Sequence, residues 1–114
     1  MSVPERFTSV KGNNDLLQQV VDQLNKDVFG FLGEFKWTDA PNAYDKFVQD
    51  VEQGLSQLSR SKLMQVLYRV DISEHKMRGV WSMEEERRIP VTAQLILDRE
   101  LQKVLTRIAY RDNN

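Results

Sequence analysis

His75 is the chain's only histidine, and it is where chemistry would have to begin. Asp71 and Glu74 lie four and one residues before it. On a helical turn, residues three and four apart share a face, so two carboxylates and an imidazole could meet there. Such a set can ligate a metal, and helical bundles that carry two metals hold their ligands inside. Those bundles repeat a Glu-x-x-His pattern on two helices, which a chain with one histidine cannot do. A metal-dependent enzyme near His75 is therefore the weakest of the functional readings, and a capped turn bearing an exposed histidine is the plainer one. A serine hydrolase would need the same imidazole, yet no serine stands in a G-x-S-x-G elbow. Neither a G-x-x-x-x-G-K-[ST] loop nor a G-x-G-x-x-G turn is present. With no cysteine there is no thiolate nucleophile, disulfide framework or cysteine-ligated zinc. The run Glu84-Glu85-Glu86 reads as solvated surface. The sequence thus assigns no catalytic residue, no cofactor and no metal ligand.

The unusual charge pattern lies elsewhere. Arg99, Lys103, Arg107 and Arg111 recur every fourth residue and advance about 40° around a helix at each step. Like charges at this spacing each cost a helix roughly 0.2–0.5 kcal/mol, so something nearby should supply negative charge. Carboxylates from the chain's own acidic half, within one molecule or across a dimer, rank first. A partner protein ranks second and nucleic-acid phosphate third. Tyr110 and Ile96 fall in the same arc, which is therefore not purely solvated. Arg99, Lys103, Arg107, Tyr110 and Arg111 are the candidate partner-binding residues.

The element that carries them spans 90–111, with Leu97, Leu101, Val104, Leu105 and Ile108 on its expected core face. Asn13 or Asn14 caps an earlier helix whose apolar positions run Leu16, Leu17, Val20, Val21, Leu24, Val28 and Phe31, ending around Gly30 or Gly33. Asp39 before Ala40 and Pro41 predicts the start of a second, with Phe47, Val48, Val51, Leu55 and Leu58 as its stripe. Gly54 inside it suggests close approach by another helix. A third begins at Ser59 or Ser61 and carries Leu63, Met64, Val66, Leu67 and Val70. The alternation Val66, Tyr68, Val70, Ile72 would also suit a strand, but no partner strand is in view. Ser73 caps a short helix through Met77, Val80 and Trp81. Ser82 with Glu85 predicts a capping box, and Pro90 a break near Ile89. Within FGFLGEFKW, Phe29, Phe31, Phe35 and Trp37 read as aromatics closing one end of a core.

The fold class that follows is all-α, a small helical bundle of three to four main helices plus a short helix. Residues 1–13 are expected to form a flexible N-terminal arm, 14–111 a single bundle domain and 112–114 a polar tail. The stretches LYRVDISE and LDRELQKVLTR resemble those of small helical bacterial proteins. That resemblance implies a bacterial origin and carries over no functional residue.

The 114 residues have a formal charge of −1, unevenly spread. Residues 1–57 hold 5 basic and 9 acidic side chains, and 58–114 hold 11 and 8. These halves can neutralise each other inside one molecule or between copies. The expected function is a non-enzymatic protein–protein interaction or self-association module, as a homo-oligomer or with a protein partner. The alternative is a nucleic-acid-binding or regulatory protein using the basic arc. A sequence pI near 5.8 argues against that alternative. No apolar run reaches bilayer length, and MSVPERFTSVKGNN lacks a signal-peptide core, so a cytoplasmic location is the expectation.

Overall fold

The computed structural model describes residues 6–112, and it is all-α with no strand among them. A 3-10 turn at Phe7–Val10 leads into α1 (Asn14–Leu32), α2 (Ala43–Ser56), α3 (Arg60–Val70), the short α4 (Glu74–Trp81) and α5 (Glu85–Asp112). α5 is the hub, packing against α1, α2, α3, α4 and the 3-10 turn. Its length allows this: 28 residues at 1.5 Å each extend about 42 Å, enough for several shorter elements to lie along one rod.

Local sequence sets most of the helix starts. The side chains of Asn13, Ser59 and Ser73 accept from the backbone N–H of Leu16, Lys62 and Lys76. Each satisfies a donor that the first turn leaves orphaned. α1 departs from helical dihedrals at Val28 and is capped at Gly33, whose φ of 76° suits glycine. α2 begins later than Asp39 predicts, because Asn42 takes the N-cap position and Ala43 is the first helical residue. The Ser82–Glu85 capping box does not form: the Ser82 hydroxyl turns back to the Arg78 carbonyl at 3.0 Å. The segment with strand-like alternation is helical through Val70, as the lack of a partner strand required.

Pro90 does not break the last helix. α5 runs through it, so the expected interruption near Ile89 is corrected. Proline removes the donor to the Glu86 carbonyl, but Pro90 and Glu86 are both exposed and water can replace that bond. The packing of α5 against the other four helices and the 3-10 turn also offsets a local loss of this kind.

The expected arm is also corrected for residues 6–13. Phe7 is fully buried and Val10 nearly so. Phe7 stacks on Tyr44 with ring centroids 5.2 Å apart, and its N–H donates to Asp98 at 2.8 Å. Residues 1–5 and 113–114, the rest of the expected arm and tail, lie outside the described residues. Phe47 stands at the centre of the aromatic group, meeting Phe7, Phe35 and Trp37. Asn25 holds the intervening loop: its amide donates to the Phe35 carbonyl and accepts from the Phe35 N–H, both at 2.7 Å. Phe35 and Trp37 thus close one end of the core, whereas Phe29 is 63% exposed and takes no part. Gly54 does sit at a close approach, since a Cβ there would lie 3.2 Å from Leu32 Cδ2.

Candidate functional site

The basic arc of α5 faces a polar seam that it forms with α1 and the end of α3. Arg99 donates through Nη2 to Asp71 Oδ2 at 2.9 Å and through Nε to the Asp71 carbonyl at 3.3 Å. Lys103 Nζ lies 2.8 Å from Asp27 Oδ2 on α1 and 3.0 Å from Glu100 Oε1 on its own helix. Arg107 donates to Gln23 Oε1 at 2.8 Å, and Arg69 of α3 donates to the Asp27 carbonyl at 3.2 Å. Arg99, Lys103 and Arg107 are therefore held by groups of the same chain. Asp27 belongs to the acidic half, as expected for the compensating charge, but Asp71 does not. Tyr110 and Arg111 are exposed at the end of α5, away from the seam's centre.

Glu100 is the residue that sequence reasoning missed. It is completely buried, in the middle of the longest helix. The signal was present in the spacing. Glu100 stands four after Ile96, three after Leu97 and four before Val104, all of them buried. Placing Ile96 in the basic arc hid this. The buried arc of α5 is turned by roughly 50° toward the basic side, on the 100° step of a helix, relative to the expected Leu97-to-Ile108 stripe. Ile96 and Glu100 lie inside it, and Leu105 and Ile108 are left half-buried at its margin.

Its electrostatics follow from two carboxylates sharing one ammonium. Burial pushes the Glu100 carboxyl up to about 8; a hydrogen bond to Asp27 adds to this, and Lys103 pulls the other way. Partial burial opposes ionisation of Asp27, but hydrogen bonds from Lys103, Glu100 and Gln23 outweigh it and hold its pKa below the ordinary value. The Lys103 ammonium, though close, is not aligned for a hydrogen bond to either Glu100 oxygen. With its carboxyl proton retained, Glu100 leaves the site as one ammonium, one carboxylate and one neutral acid. This seam can store a proton. With Glu100 wholly enclosed, it offers no open face to a substrate.

The His75 set is not assembled. His75 is exposed, Asp71 is engaged by Arg99, and Glu74 pairs with Arg78 at 3.8 Å. Among the described residues, no group of three or more histidine, aspartate or glutamate side chains is placed to hold a metal. No described helix is long and apolar enough to cross a membrane.

Compared with known proteins, the chain matches no family model, no curated protein and no solved structure.

Proposed function

We propose that this protein is a non-enzymatic self-association module that docks through the C-terminal end of α5. The observation that carries this reading is the exposure of Tyr110, 74%, beside exposed Arg111 at the end of α5. Tyrosine and arginine are favoured anchors at protein interfaces because they combine contact area with polar reach. The partner best suited to Arg111 is an acidic face, and exposed Asp15 and Asp22, seven residues apart on α1, provide one on a second copy.

Light scattering over a range of protein concentrations, at low and high salt, tests the reading. A concentration-dependent dimer or larger species is expected, weakened by salt and by Tyr110→Ala with Arg111→Glu. A monomer under every condition refutes self-association, and an oligomer indifferent to both substitutions refutes this surface. Binding of a labelled oligonucleotide to the monomer, lost on Arg111→Glu, would favour the nucleic-acid alternative.

A further inference from the structure

A groove of about 690 Å³ runs over the side of α5 that turns away from the core. Val91 and Leu95, one helical turn apart, form its apolar floor together with Ile72. Apolar residues on the outer face of a helix ask for a covering partner, and here the flanking elements leave them partly open. We propose that this groove binds a small organic anion with an apolar tail, of which a medium-chain carboxylate is the simplest form. The tail lies along Val91 and Leu95, and the carboxylate lies between Arg6 and Lys76 on the groove walls.

Three observations support that occupant. The volume falls within the roughly 300–1,000 Å³ of small-molecule sites. The acids of the groove are already committed: Asp71 to Arg99 at 2.9 Å, and Asp98 to the Phe7 N–H at 2.8 Å and Gln94 at 2.6 Å. The side chains of Arg6 and Lys76 have no ion-pair or hydrogen-bond partner among the described residues, so the groove carries uncompensated positive charge.

The groove edge is fixed within the chain. Asp71 adopts φ 71° and ψ 50°, the left-handed conformation that ends α3, where glycine would be unstrained. It is the one non-glycine residue with positive φ among those described. Its carboxylate and carbonyl together fix the Arg99 guanidinium at the groove edge. The groove is separate from the end of α5 and does not depend on self-association.

The test is a titration of the isotope-labelled protein with sodium octanoate, followed by amide chemical shifts, with 1-octanol and octylammonium as controls. Saturable millimolar binding of octanoate is expected, with shifts centred on Ser73, Lys76, Gln94 and Leu95, and weaker binding of both controls. Arg6→Gln with Lys76→Gln should weaken octanoate by roughly tenfold or more. Both residues are exposed, so the variant keeps its fold, which the dispersion of the same spectra reports. The proposal is overturned by the absence of saturable shifts at the groove, by octanol or octylammonium binding as tightly, or by unchanged binding in the double variant. Should that variant lose its fold, the wild-type comparison of the three ligands still decides.

Discussion

The buried acid on α5 should make this protein lose stability as pH rises through neutrality, the reverse of what paired surface carboxylates do. In the unfolded chain Glu100 gives up its proton near its ordinary value of 4.5, whereas the folded protein keeps it until about pH 8. Between those values the folded state binds one more proton than the unfolded state, so each pH unit removes about 1.36 kcal/mol of stability. Glu100's contribution is thus fully present below pH 4.5 and lost by about pH 8. Across that window the loss is on the order of 3–5 kcal/mol, a large part of the roughly 5–15 kcal/mol that holds a domain together. Asp27 has the opposite sign: its contribution is present above 3.8 and lost as pH falls below it. These two groups by themselves therefore place the optimum near their ordinary carboxylate values, between 3.8 and 4.5. Urea unfolding followed by far-ultraviolet circular dichroism at pH 5, 6, 7 and 8 measures the slope directly. Glu100→Gln keeps the shape and removes the proton, so it should flatten the profile and exceed wild type in stability at pH 8. A wild-type profile that is flat or rising over this range refutes the reasoning, as does a glutamine variant that retains the slope.

Two further outcomes test the corrected parts of the fold. Phe7→Ala should cost roughly 3–5 kcal/mol, because it empties a fully buried site stacked on Tyr44. A cost under about 1 kcal/mol in the same denaturation assay would mean that the 3-10 turn is not docked in solution. Asp71→Gly should stabilise the protein slightly, by up to about 1 kcal/mol, since glycine relieves the left-handed backbone and the lost Arg99 pair is largely exposed. Asp71→Val should destabilise it, and equal melting temperatures for the two variants would show that the backbone is unstrained.

The helices were legible because their determinants are local. Leu17, Val20, Val21, Leu24 and Val28 repeat at helical spacing and are buried on one face of α1. Asn13, Ser59 and Ser73 cap helices by bonds to residues three positions on. The failures are equally instructive. Asp39 and Ser82 had the right chemistry for caps, but the neighbouring chain supplied other solutions. The intrinsic preference of Pro90 predicts a break, and the packing of α5 carries the helix past it.

What the sequence could decide by itself was the all-α class, the main helix spans and most of the capping, since each depends on residues within one or two turns. It also determined that the arginine and lysine repeat on α5 needs negative charge nearby. Which charge, and where, only the tertiary structure decided. Asp27 lies 76 residues from Lys103, and Asp71 lies 28 from Arg99, separations at which sequence spacing carries no geometric information. The same holds for Phe7, placed against Asp98 by a contact 91 residues long. Glu100 stands between the two cases. Its position on the helix was readable, but its burial was set by which side of α5 the other helices chose to cover. That choice is a matter of packing three or more elements around one rod, and no single helix encodes it.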